Sequence, residues 1–177
     1  MTTLQPPVSS RDHIEGELAA PVTLVEYGDY QCPHCGHAFP IVKRVQEAMG
    51  NDLCFVFRNF PLSEVHPSAQ AAAEAAEAAA AQGKFEEMHD IIFENQDRLE
   101  PNDLLGYAEQ VGLDTRRFVR EMEAGAYTER VREDFMSGVR SGVNGTPTFF
   151  INGQRYDDSW DYGPLLAHLQ RVARQVK

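Results

Sequence analysis

Cysteine is scarce in this chain of 177 residues: there are three, at positions 32, 35 and 54. Three cysteines cannot frame a disulfide-rich scaffold, so the fold must rest on an ordinary apolar core. Positive charge is also short. Sixteen Lys and Arg face 27 Asp and Glu, a net charge of −11. That balance argues against nucleic-acid binding and against a basic helix lying on a membrane surface. No run of 18 apolar residues occurs, so no membrane span is expected. Met1 to Ala20 hold no apolar stretch of signal-peptide length. The expected location is therefore the cytoplasm, or the periplasm or exterior if a leader was removed. No internal repeat is visible. Low complexity is confined to a Pro- and Ser-bearing start (Pro6, Pro7, Ser9, Ser10) and one alanine tract. The rest is ordinary for a globular chain, 42% hydrophobic and 24% charged. It is long enough for one well-buried domain with an insertion.

The densest chemistry lies in Gln31-Cys32-Pro33-His34-Cys35-Gly36-His37. It follows a strand-like apolar run and precedes a helix-like one. With Pro33 as an early helical residue, Cys32 sits at a helix N-terminus, where unpaired N–H groups and the helix dipole favour a thiolate. A protonated His34 would add positive charge beside the same sulfur. Cys35 lies about one turn on, facing the same way but deeper. Cys32 is thus expected to be the exposed attacking sulfur and Cys35 the resolving one. Three rival readings exist. A structural disulfide this short would constrain the unfolded chain little. A metal site could use Cys32, His34, Cys35 and His37, but a structural zinc normally takes a second ligand pair from a distant knuckle. Haem attachment needs His where Gly36 stands. Cys54, within Leu53-Cys54-Phe55-Val56-Phe57, reads as a buried, inert thiol.

Around this motif, Val22, Leu24, Val25 and Tyr27 suggest a buried strand, and Leu53 to Phe57 a second. The helix between them, Pro33 to Met49, carries Phe39, Val42, Val45 and Met49 on one stripe and should kink at Pro40. Strand, helix and strand make a βαβ unit. Glu26 is an anomaly, a carboxylate in the middle of the first strand. It is either a proton acceptor beneath the dithiol or an edge residue facing solvent. Residues 66–125 give several helices and no strand signal. Ten of the fourteen residues Ser68 to Ala81 are alanine. His89 falls on an apolar stripe with Phe85, Met88, Ile92 and Phe93, as a core or boundary histidine would. A helix over Tyr127 to Val143, with Val131, Phe135 and Val139 at i, i+4 and i+8, should follow. Thr148 to Ile151 reads as a strand, Asn152-Gly153 as a hairpin turn, and Tyr162 to Val176 as a closing helix. Pro147 sits at the strand start, where it does not spoil the ladder and leaves neighbouring backbone free to pair with an extended substrate.

Taken together, strand, C-x-x-C at a helix start, second strand, and Thr146-Pro147 before a hairpin and final helix resemble the thioredoxin fold. Pro33-His34 between the cysteines, with a helical insertion between the halves, resembles the DsbA-like thiol–disulfide oxidoreductases. The resemblance runs from about Ile14 to Val176. It implies an α/β thioredoxin fold: a mixed central sheet flanked by helices, with an inserted all-helical subdomain. The divisions would be a flexible leader over 1–13, a first half over 14–65, the insertion over 66–125, and a second half over 126–177. It implies that Cys32 is the nucleophile, Cys35 the resolving thiol, His34 the stabiliser of the Cys32 thiolate and Glu26 the buried acid. Pro147 would be a cis-proline facing the pair, with Thr146 contacting substrate backbone. No cofactor and no metal are expected. The partners would be protein or small-molecule thiols and disulfides and a recycling redox partner. A glutathione-dependent transferase or isomerase on the same fold is the remaining alternative, beside the metal-binding module.

Overall fold

The structure, a computed structural model, describes residues 2–177. Five strands form one sheet in the order β1-β3-β2-β4-β5. They are β1 (His13–Glu15), β2 (Val22–Gly28), β3 (Leu53–Asn59), β4 (Thr148–Ile151) and β5 (Gln154–Tyr156). β2 and β3 run parallel and the other pairings are antiparallel. β2 is central, so both its faces are covered, which is why its apolar residues run on rather than alternate. Helix α1 (Pro33–Met49) makes the crossover from β2 to β3 and continues through Pro40. The turn from β4 to β5 has φ of 47° at Asn152 and 81° at Gly153. Two consecutive positive φ angles are the requirement that an Asn-Gly hairpin meets.

Six further helices follow: α2 (Ala69–Ala80), α3 (Phe85–Phe93), α4 (Pro101–Gln110), α5 (Thr115–Glu123), α6 (Thr128–Arg140) and α7 (Tyr162–Val176). α2 packs against α3, α4, α5 and α6. Its alanines 69, 72, 73, 75, 76, 78 and 79 are all buried. A helix that is apolar on most sides sits inside its layer, and alanine lets four neighbours approach it closely. One face of the sheet buries Leu24, Phe55, Phe57, Phe149 and Ile151 together with residues of α1, α2, α3 and α7. The other buries Val25, Tyr27, Val56 and Phe150 against Leu4, Phe60 and Val143.

Two expectations need correction. The stretch 1–13 is not a flexible leader across its described residues. Thr3 bridges Gln154, and Leu4 is buried and donates its N–H to Gly153 O at 2.9 Å. The reason is Arg58, a guanidinium buried at the end of β3. It needs acceptors, and takes them from Asp12 (2.8 and 3.0 Å) and from the Pro6 and Pro7 carbonyls (3.0 and 3.4 Å). β3 therefore runs two residues beyond Phe57, because Arg58 and Asn59 are both paired inside. α6 buries Val131 and stacks Phe135 on Phe60, but the rest of its inward face is polar. Asp134, Ser137 and Gly138 point inward with Val131, and Val139 is exposed. Asp134 accepts from Asn59, and Ser137 meets the Tyr27 hydroxyl at 2.7 Å, so hydrogen bonds outweigh the apolar stripe.

Candidate active site

β2 ends at Gly28, and a turn over Asp29 to Gln31 delivers the chain to α1. Cys32 is the N-cap residue of α1, in extended conformation, with Pro33 just inside the helix. Its N–H donates to Asp29 O at 3.1 Å, closing that turn. Both thiols are free of a disulfide, so the structure holds the dithiol. Cys35 is wholly buried as expected, but Cys32 is only 4% exposed. The attacking sulfur is covered, partly by Thr146, whose carbonyl lies 3.6 Å from Cys32 Sγ. β4 pairs Thr148 with Tyr27 of β2, which brings the preceding Thr146–Pro147 bond over the dithiol. That bond is cis.

The two sulfurs divide one proton unequally. The Cys32 thiol is pushed down to about 5. The largest cause is the hydrogen bond from the Cys35 thiol. Burial opposes it, and the Thr146 hydroxyl and the backbone N–H groups of Cys35 and His34 assist. Thr146 Oγ1 is buried with no hydrogen-bond partner among the described residues. Burial, the bond to Cys32 and the charge of Glu26 push the Cys35 thiol well up. His34 is exposed, and its backbone N–H is among the groups that lower the Cys32 thiol. Pro33 too is exposed.

Glu26 is 3% exposed, on the face of β2 that meets α1. Its Oε2 has no hydrogen-bond partner among the described residues. Burial, then the charges of Cys32 and Glu15, push its carboxyl up to about 8. The solvent-facing reading open from sequence therefore does not hold. A Cβ on Gly28 would come within 2.8 Å of Glu26 Oε2 and 2.4 Å of the Phe57 ring. Glycine at the strand end is what leaves the carboxyl its place.

Residues from outside the motif complete the surroundings. Gln96, after α3, donates through Nε2 to the carbonyls of Tyr30 and Cys32, both at 2.9 Å. The Tyr30 hydroxyl lies 2.8 Å from His89 Nδ1, inside a ring cluster with Phe57 and Phe93. Burial holds His89 well below the usual histidine range, so it is a neutral core residue, as its stripe suggested. His37 is exposed, with its ring 5.6 Å from that of Trp160. Among the described residues no three His, Cys, Asp or Glu side chains converge on a metal-binding geometry. The cluster of Cys32, His34, Cys35 and His37 therefore lacks the arrangement a metal module needs. Cys54 is buried on β3 and its thiol is pushed up, chiefly by burial. Gln96 and Asp29 were not singled out from sequence. Gln96 lies 64 residues from the motif in a polar loop without any local signal. Asp29 had one, a short acid placed to bond the N–H two residues on.

A family model described as Thioredoxin matches residues 9–171. The chain belongs to the thioredoxin family. Solved structures share its fold. BdbD from Bacillus subtilis, oxidised, superposes with a TM-score of 0.87 at 22% identity, over 98% of each chain. A thioredoxin-like oxidoreductase from Silicibacter pomeroyi DSS-3 gives 0.81 at 28% identity over 94% of each. The thiol-disulfide exchange protein α-DsbA2 from Wolbachia pipientis gives 0.81 at 19%, covering 93% of this chain and 88% of that one. Among curated proteins, Na(+)/H(+) antiporter NhaA 1 of Salinispora arenicola (strain CNS-205) is 48% identical over 157 residues, 89% of this chain and 24% of that protein. Antiporter NhaA 1 of Mycobacterium sp. (strain KMS) is 44% identical over 96% of this chain and 28% of its own length. The thioredoxin-family chain thus spans about a quarter of these curated relatives. None of its helices is long and apolar enough to cross a membrane, among the described residues. The likenesses lend no support to the cytoplasmic location expected from the sequence.

Proposed function

We propose that this thioredoxin-family protein is a thiol–disulfide oxidoreductase working through a mixed disulfide at Cys32. What carries the reading is the arrangement of three groups. A sulfur at the start of α1 is stabilised as thiolate, a protonated sulfur lies one turn below, and a buried carboxyl with a free oxygen lies under both. In the reducing direction, the Cys32 thiolate attacks a substrate disulfide and one substrate sulfur leaves as thiolate. Glu26, in its carboxylate form, takes the Cys35 proton. Cys35 then attacks Cys32 Sγ, the Cys32–Cys35 bond forms, and the second substrate sulfur leaves and takes a proton. The substrate gains two electrons and the dithiol loses two. Oxidation of a substrate dithiol is the same path reversed. Thr146 and Pro147 face the sulfur that carries the adduct, and the Thr146 carbonyl is the backbone group an extended substrate meets first. The helical stretch 66–125 serves as a cap, clamping the active-site turn through Gln96.

Cys35→Ser should accumulate a mixed disulfide with a thiol–disulfide substrate, and Cys32→Ser should lose all exchange. Mass measurement of the adduct checks both, and a Cys35→Ser protein that traps nothing would overturn the assignment. A second reading concerns context. The likeness to a quarter of the antiporters supports a redox unit that acts beside a Na(+)/H(+) transport unit. Transport by the Salinispora arenicola relative in vesicles, assayed across thiol–disulfide buffers, tests it; no dependence on the buffer would sink it.

A further inference from the structure

One buried carboxylate at the site has no part in that chemistry. Asp29 has a side chain with no exposure at all. Its Oδ1 accepts from Gln31 N at 2.8 Å, and its Oδ2 accepts from Leu62 N at 2.9 Å and meets His66 Nδ1 at 2.7 Å. Its main chain touches both cysteines. The carbonyl accepts from Cys32 N at 3.1 Å, and the N–H donates to Cys35 Sγ at 3.4 Å. Neighbouring bonds stitch the same two segments together, Phe60 N to Gly28 O at 2.8 Å and Ser68 N to Gln31 Oε1 at 2.8 Å. The carboxylate is therefore the knot between the active-site turn and the loop that leads into α2. It is occupied by three donors, and its contact with sulfur runs through the N–H alone.

We propose that Asp29 is a positioning residue for the resolving thiol. Its carboxylate, held by His66 and two backbone N–H groups, fixes its own N–H on Cys35 and so stabilises the Cys35 thiolate as it attacks the mixed disulfide. The inference rests on the exchange reading above. A hydrogen bond to the charged form of a group favours that form, most where water is excluded. The other titratable groups facing Cys35 are Cys32 on its own helix and Glu26 on β2, and both push its thiol up. The Asp29 N–H acts in the opposite direction. His66 meets the carboxylate at Oδ2 and acts by holding Asp29 in place.

The test follows the decay of a mixed disulfide preformed at Cys32 with a small aromatic thiol, across pH. In Asp29→Asn the side chain presents an N–H₂ group toward two donors, and the turn slackens. The adduct should then persist on the order of tenfold longer, with the pH profile of its decay moved upward by about one unit. Alkylation of Cys32 in the same variant should keep its wild-type pH profile. His66→Ala should lengthen the adduct's life in the same sense, and His66→Asn, which keeps a donor at the Nδ1 position, should restore it. A purely structural role would lower stability and slow both sulfurs without moving the Cys35 profile. Wild-type decay in Asp29→Asn, or equal decay in the two His66 variants should Asp29→Asn not fold, overturns the proposal. If Cys35→Ser still traps the adduct, the exchange reading survives that failure. If it traps nothing, the exchange reading itself has failed.

Discussion

Two sulfurs one helical turn apart end on opposite sides of neutrality because their hydrogen-bond donors are not shared equally. Cys32 collects the Cys35 thiol, the Thr146 hydroxyl and two backbone N–H groups, while Cys35 sits in the dark beside Glu26. A disulfide cannot carry the charge that these donors stabilise, so each favours the reduced pair. The nucleophile of thioredoxin has a pKa near 7 and that of DsbA near 3.5, with potentials of about −270 and −120 mV. A thiol at about 5 lies between them, and the Cys32–Cys35 couple is expected at roughly −200 mV. Equilibration with glutathione buffers and counting of free thiols measures it. A potential as low as that of thioredoxin would mean that the Thr146 and Cys35 donors do not act on Cys32. At this scale the sequence was most telling where chemistry is local. Cys32, Cys35, Glu26 and the Thr146–Pro147 pair could all be named from neighbours in the chain.

Elements were legible when their partners were near and obscure when they were far. β2, α1 and β3 follow from one hydrophobic rhythm, and the Asn152-Gly153 turn from two residues. β1 and the packed stretch before it depend on Arg58, which lies 46 residues from Asp12. Arginine at the end of a strand gives no sign in sequence that it will be buried and in want of acceptors. The polar part of the inward face of α6 is obscure for the same reason, since Asn59 and Tyr27 claim Asp134 and Ser137. The Asp12–Arg58 pair has a measurable weight, since both side chains are at most 8% exposed. Removing one partner of such a pair leaves a charge buried. Asp12→Ala should lower stability by about 3 kcal/mol in denaturant unfolding, whereas Arg11→Ala, at an exposed pair with Glu133, should change little. Equal effects would mean that the segment before β1 is not anchored through Arg58.

For the molecule as a whole, the buried acids set how stability answers to pH. Glu26 has its carboxyl raised from 4.5 to about 8. Between those values the folded chain holds a proton that the unfolded chain has lost, so stability falls as pH rises. The span corresponds to about 5 kcal/mol at most. Glu26→Gln should remove this slope, and its advantage over the wild type should grow from pH 4.5 to 8 and then level off. Unfolding of the reduced protein across that range decides it, and parallel curves would mean that Glu26 is ionised in the fold. Cys32 acts in the other direction, adding stability as pH rises from about 5 to 9, because its thiol is lowered. The same variant should flatten the rise with pH in the rate at which Cys35 resolves an adduct. The general architecture was readable from the order of elements. The compartment was not.

Trp160 is the single tryptophan of the chain, and its ring stands beside His37, on the first turns of the helix that begins at the dithiol. Its light emission therefore comes from one known spot within the reach of α1. Any shift of that helix start, whether by closure of the disulfide or by arrival of a substrate, changes the surroundings of one indole and nothing else that fluoresces at the same wavelengths. Stopped-flow emission from this indole should therefore follow exchange at Cys32 without an attached label, and a flat trace would mean that the helix start does not move.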